Sequence, residues 1–456
     1  MKNGKTLINN FLLNIILFSY TFSYLIFPFK TKKSIIEDTE HNITRLFRSL
    51  LPNNIYINLE ISEPKQNVEA FLVSSFVEFF FSEKTKNNPS TNVTNPRIDD
   101  VGCELENFFD KNISDSLEIT DIKKSSFSVK GFVSYDYLYL KNEINKEKLK
   151  FILYESTIGN RPAVIGLEYP RIKEPYNIFT ILKEMDIITS YNWMVNYTST
   201  DEGNLIIGEL LHNIDTQNYK EEDLLVGHPF TYKAMQEIWG LRMDDILFNG
   251  ENFRPNHECY FYYEYNYIEG IDYLERELDK FFNESIINGT CFKENIKYPY
   301  GPNKFYYCNK EKYKNNMKYF PPLQFLHKEM NYTFELTYED LFIEKYDKLI
   351  LLIFFQDRGS TWRLGKPFLK KYAFIMNQDD RVVKFYEKHG YQKDNGDGNR
   401  KMFILTVSLI AVGVIILIVL GIFIGKYLFK KKKRLNTIDD EYEYAEANQE
   451  KIINED

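Results

Sequence analysis

Most of the local signatures by which a sequence declares an enzyme are missing here. There is no Gly-x-Ser-x-Gly elbow, no His-Glu-x-x-His pair, no Gly-x-x-x-x-Gly-Lys-Ser/Thr loop and no dinucleotide fingerprint. That removes the usual marks of hydrolase nucleophiles, zinc peptidases and nucleotide chemistry. Histidine is scarce: His41, His212, His228, His257, His327 and His389 are scattered, have no nucleophile beside them, and read as surface or loop residues. Cysteine is scarcer still. Cys103, Cys259, Cys291 and Cys308 include no Cys-x-x-Cys and no adjacent His pair, so neither a metal nor another cofactor is expected. The net charge of −8 leaves no general nucleic-acid footprint. What the chain has in plenty is aromatic, 34 Tyr and 37 Phe among 456 residues, and that length suffices for two lobes.

Long apolar runs are rare too, and there are two. Phe403 to Ile424 carries no charge and is long enough to cross a bilayer as a helix, so a single transmembrane span is expected over 402–425. Lys426 and the cluster Lys430 to Arg434 follow it, which puts residues 426–456 in the cytoplasm as a polar, acidic tail. At the other end Lys2 and Lys5 precede an apolar stretch from Leu7 to Phe29. Residues 1–30 thus read as a signal peptide, with an uncleaved anchor as the alternative. The expected topology is a single-pass type I membrane protein of the secretory pathway or cell surface, with its ectodomain lumenal or extracellular. Seven Asn-x-Ser/Thr sequons, at Asn42, Asn92, Asn112, Asn196, Asn283, Asn288 and Asn331, all fall between the two runs, as glycan acceptors should. The four cysteines fall there as well. Cys291 and Cys308 enclose a short loop and are the first choice of disulfide, with Cys103 to Cys259 a weaker second pairing.

Between the runs the pattern is mostly short β-type segments and turns. Tyr56 to Ile61 alternates, Glu63-Pro64-Lys65-Gln66 turns, and a second β run follows to Phe81. Ile178, Ile181, Leu182 and Met185 are spaced as a helix face, and so are Ile271, Leu274, Leu278, Phe281 and Phe282. Ile188 to Tyr197 alternates again. Near the end, Thr361 to Leu364 is a β run stopped by Gly365. Pro367 then starts a one-turn helix, Ala373 to Met376 resumes the strand, Asn377 to Asp380 turns, and Arg381 to Phe385 closes a hairpin.

These segments, in this order, resemble the pepsin-like (family A1) aspartic proteases. Trp362, Leu364, Gly365, Phe368, Leu369, Lys370 and Tyr372 fit that family's last core segment, while Tyr56, Ile61, Pro64, Gln66, Val68 and Leu72 fit its opening hairpin. Ser128 to Asp136, Pro162 to Leu167, Gly203 to Gly208 and Trp239 to Ile246 match further pieces, so the likeness covers residues 55–386. It implies an all-β, bilobal fold with a few short helices, an N-terminal lobe over 45–208 and a C-terminal lobe over 209–390. The family's catalytic positions are altered. Val73 stands where the first catalytic Asp is expected, followed by Ser74 and Ser75 in place of Thr-Gly. In the second lobe, between Cys259 and Ile268, counting forward from Gly250 puts Glu264 at the catalytic position, and counting back from Gly270 puts Tyr262 there. Lys124 occupies the flap tyrosine position. Aspartic proteases hold two carboxyl groups so close that they share one proton, and neither valine nor tyrosine supplies that chemistry. The expectation is a membrane-anchored, non-catalytic homologue that binds a peptide or protein in the cleft between lobes. The rivals are an active endopeptidase with atypical acids and a surface or adhesion glycoprotein.

Overall fold

Among the described residues the first strand overlaps the end of the stretch that reads as a leader. The computed structural model describes residues 24–32, 43–83, 107–126, 129–140, 145–155, 161–168, 176–229, 239–253, 255–296, 304–356 and 361–387. Among them β1 (Leu25–Lys32) is paired along both edges, Phe29 standing opposite Ile57 on one side and Gly203 on the other. Phe29 is buried. The end of the run from Leu7 to Phe29 is thus part of this sheet, and residues 1–23 lie outside the described residues.

A helix, α1 (Ile43–Leu50), comes next, with Leu46, Phe47 and Leu50 buried along one stripe. β2 (Asn54–Ile61) and β3 (Gln66–Val73) form the expected hairpin. Ile55, Ile57, Leu59 and Ile61 are buried at every second position of β2, the period of a strand with one face inward. β3 is buried on both faces: Val68, Ala70 and Leu72 join the main core, while Phe71 and Val73 join a separate cluster. The first half continues with β4 (Phe79–Ser82), β5 (Glu118–Ser126), β6 (Val129–Leu140), β7 (Asn145–Tyr154) and β8 (Ala163–Gly166). α2 (Ile178–Glu184) follows, capped by the Asn177 side chain accepting from the backbone of Phe179 and Thr180. β9 (Asn192–Tyr197) and β10 (Glu202–Ile207) end this half.

The second half opens with β11 (Leu224–Gly227) and β12 (Gly240–Met243), then β13 (Asp245–Phe248) and β14 (Glu251–Phe253). β15 (His257–Phe261) and β16 (Ile268–Gly270) flank the tyrosine-rich loop, and α3 (Asp272–Ile287) follows. The remaining strands are β17 (Cys291–Asn295), β18 (Lys304–Asn309), β19 (Leu323–His327), β20 (Tyr332–Leu336), β21 (Phe342–Lys345), β22 (Lys348–Leu351), β23 (Ile353–Phe355) and β24 (Trp362–Leu364). After them come α4 (Lys366–Lys371), β25 (Ile375–Asn377) and β26 (Val382–Tyr386). The protein is thus predominantly β, with short helices. No helix among the described residues is long and apolar enough to cross a membrane. The span and tail expected over 402–456 lie outside the described residues.

Among the described residues three sheets form, and two of them repeat one pairing scheme. One sheet runs β11-β26-β25-β9-β10-β1-β2-β3-β8-β4-β7-β6-β5, and a second runs β12-β15-β24-β16-β23-β18-β22-β21 with β17 on β18. β14-β13-β19-β20 make the third. In the first half β3 pairs in parallel with β8, β8 antiparallel with β4, and β4 in parallel with β7. In the second half β15 pairs in parallel with β24, β24 antiparallel with β16, and β16 in parallel with β23. The ends of the two halves also match. β9 and β25 lie side by side, and β10 with β1 mirrors β26 with β11. That arrangement runs six strands in one row across the junction of the halves.

Candidate functional site

The repeated pairing fixes which residues of the two halves correspond. Val73 stands opposite Gly166 in the β3/β8 pair. In the β15/β24 pair Phe261 stands opposite Leu364, so the next residue, Tyr262, comes against Gly365. Both glycines are required by close approach. A Cβ on Gly166 would lie 2.4 Å from the Phe76 carbonyl oxygen, and one on Gly365 2.2 Å from that of Tyr267. Of the two residues counted from sequence, Tyr262 therefore corresponds in position to Val73, and Glu264 to Ser75.

The two loops touch. Ser74 Oγ accepts from the Tyr263 backbone N–H at 2.9 Å, and the Ser74 N–H donates to Glu264 Oε2 at 3.0 Å. Glu264 is thus the one acid of this segment that reaches the other half. Burial holds its carboxyl above the usual carboxylate range, opposed by hydrogen bonds from its own and the Ser74 backbone, by the Ser74 hydroxyl, and by the charge of Arg161. Val73 is packed in an apolar cluster with Phe71, Phe80, Ile152 and Tyr154. The Val73 side chain itself has no group that could hold or move a proton.

The second half fills its side of the junction with rings. Tyr262 stacks on Tyr265 (centroids 4.9 Å apart), Tyr265 on Tyr267 (4.8 Å), and Tyr267 on Phe354 (4.7 Å). Phe47 of α1 lies 5.0 Å beyond Phe354 and stacks on Phe305 at 4.7 Å. Stacked rings bury large areas at low entropic cost, which explains why this stretch is so rich in tyrosine. Beside Tyr262, Arg363 Nη1 donates to the buried Glu269 at 2.8 Å, while its guanidinium sits 5.6 Å from the Tyr262 ring. Burial raises the Glu269 carboxyl, and Arg363 and Gln356 pull it back down. The chain following α1 is strapped over the loop. The Asn53 N–H donates to Glu264 O at 2.8 Å, Asn53 Nδ2 donates to Tyr263 O at 2.7 Å and to Tyr197 Oη at 2.8 Å, and Asn266 Nδ2 donates to Pro52 O. Neither α1 nor this strap was expected, although Ile43, Leu46, Phe47 and Leu50 carry a legible i, i+3, i+4, i+7 pattern.

The other expected residues are spread around this junction. Lys124 is on β5 opposite Gly131, in a hairpin with β6, its ammonium over the Tyr176 ring at 4.4 Å. Cys291 and Cys308 face each other across β17 and β18 and are disulfide-bonded. Cys259 is a buried free thiol, which corrects its suggested pairing with Cys103; Cys103 lies outside the described residues. Asn112, Asn283, Asn288 and Asn331 are exposed, Asn196 is half-buried opposite Asn204 on β10, and Asn42 and Asn92 lie outside the described residues. His327 is not a surface residue: it is buried at the end of β19, and its Nδ1 accepts from the Met330 N–H at 3.2 Å. No protein-family model matches the chain, and no curated protein matches it.

Proposed function

We propose that this chain is a membrane-anchored, non-catalytic homologue of the pepsin-like aspartic proteases, which binds a peptide or protein between its two halves. The repeated β3-β8-β4 and β15-β24-β16 pairings and the six strands running across the junction support the bilobal part of this reading. One observation carries the rest. The two residues that correspond across the repeat are Val73 and Tyr262, so neither corresponding position offers a carboxyl group. General acid–base hydrolysis by a shared-proton pair needs two acids. The single nearby acid of the loop, Glu264, has its carboxylate taken up by the Ser74 N–H. What remains is a junction lined with tyrosine and phenylalanine, surfaces suited to holding side chains rather than cutting a backbone.

The test is a cleavage assay. The full-length protein is incubated with a broad peptide library from acidic to neutral pH, with and without pepstatin, and products are read by mass spectrometry. The reading requires no pepstatin-sensitive products at any pH. Pepstatin-sensitive cleavage that disappears in Glu264→Gln would restore the endopeptidase alternative.

A further inference from the structure

The charges around the junction are unevenly matched. On the tyrosine side Arg363 is paired with Glu269, and Arg161 lies close enough to Glu264 to pull on its carboxyl. On the Val73 side Lys148 is paired with Glu118. Lys124 of β5 and Lys150 of β7 are different. Both ammoniums point at one ring, that of Tyr176, at 4.4 and 4.6 Å from its centroid, and neither has a carboxylate partner among the described residues. A phenol ring attracts a cation through its quadrupole but neutralises nothing. Two like charges therefore sit less than a Debye length apart with their excess unanswered. Their place is as telling as their charge. Tyr176 is buried in the same cluster as Val73, Phe71 and Phe80, with Phe76 and Tyr135 packed against it.

Resting on the peptide-binding reading above, we propose that Lys124, Lys150 and Tyr176 form a subsite for the side-chain carboxylate of an acidic peptide laid along the half-buried rings of Phe76 and Tyr135, which pack on the Val73 cluster. A carboxylate accepts hydrogen bonds from both ammoniums and cancels the local repulsion, while the neighbouring part of the peptide rests on Phe76 and Tyr135. The ligand class follows: an extended peptide bearing Asp or Glu, favoured over its amide counterpart by charge.

The experiment compares two fluorescein-labelled pools of short peptides, identical except that every Glu in one is Gln in the other. Binding to the full-length protein is followed by fluorescence anisotropy. We expect the Glu pool to bind about tenfold tighter or more at low salt, and the gap to narrow as salt is raised. Lys124→Gln with Lys150→Gln should reduce the preference to about twofold or less, while Lys124→Arg with Lys150→Arg should keep it. An unchanged melting temperature verifies folding, and the wild-type salt dependence decides the matter independently of any variant. Equal binding of both pools, or a preference that survives the double Gln variant, overturns the subsite and leaves the peptide-binding reading standing. Binding of neither pool overturns both.

Discussion

The two halves build the same local frame and finish it with opposite chemistry. In each, a strand ends at the junction, runs parallel to a second strand closed by a glycine, and that strand pairs antiparallel with a third. The first half completes the frame with Val73 and edge-on rings, Phe76 against Phe80 at 5.6 Å and Phe80 against Tyr154 at 5.2 Å. The second completes it with the face-on stack from Tyr262 to Phe354, a buried Glu269 paired with the half-buried Arg363, and a covering helix. The frame is backbone geometry, which tolerates side-chain change as long as the glycines at the close approaches stay. The finish is side-chain chemistry, and in neither half is it acidic at the corresponding position.

The comparison can be broken most forcefully at α1, whose buried apolar side chains pack on the second half. Phe47 is fully buried against Phe305 and Phe354, and Phe47→Ala should cost roughly 3–5 kcal/mol in urea unfolding. Hydrogen exchange should show lost protection in β16 and β23 with β3 and β8 spared; equal loss on both sides would show that the halves are not separately supported. Gly166→Ala and Gly365→Ala probe the shared frame. A methyl group must push backbone in either case, so each should cost about 1–3 kcal/mol, and by similar amounts. A glycine that accepts alanine freely would end the correspondence.

Ser74→Ala removes the acceptor of the Tyr263 N–H and should cost about 1 kcal/mol, read as a shift of the urea midpoint. Glu264→Gln should act least and only through pH. The Glu264 carboxyl is raised above its ordinary 4.5, so the folded chain keeps a proton where the unfolded chain has lost it. Its contribution is therefore full at pH below 4.5 and is lost as pH rises through the folded value. Glu264→Gln, which can still accept from the Ser74 N–H, should gain stability relative to wild type across that window. Urea midpoints measured on both sides of it check the sign, and a relative gain on acidification would contradict it.

Local pattern made much of the frame legible in advance. The β2–β3 hairpin, α2, α3 and the run from β24 through α4 to β26 all follow from alternation, helical spacing and punctuation at Pro64, Gly365 and Pro367. Other features were hidden for identifiable reasons. β1 begins in the apolar run that reads as a leader, and its pairing with β2 and β10, which no local pattern registers, makes it a strand. Which of Tyr262 and Glu264 answers to Val73 depends on the parallel pairing of β15 with β24, a contact that no local count can register. His327 is polar by type, yet its strand turns it inward, where the Met330 N–H satisfies it.

The correspondence of Val73 with Tyr262 is the claim everything else needs, and placing an acid at both positions tests it most directly. In Val73→Asp combined with Tyr262→Asp, carbon-13 carboxyl titration should show two coupled steps separated by more than about one pH unit, as expected for facing acids sharing a proton. Two independent titrations in the ordinary carboxylate range would contradict it.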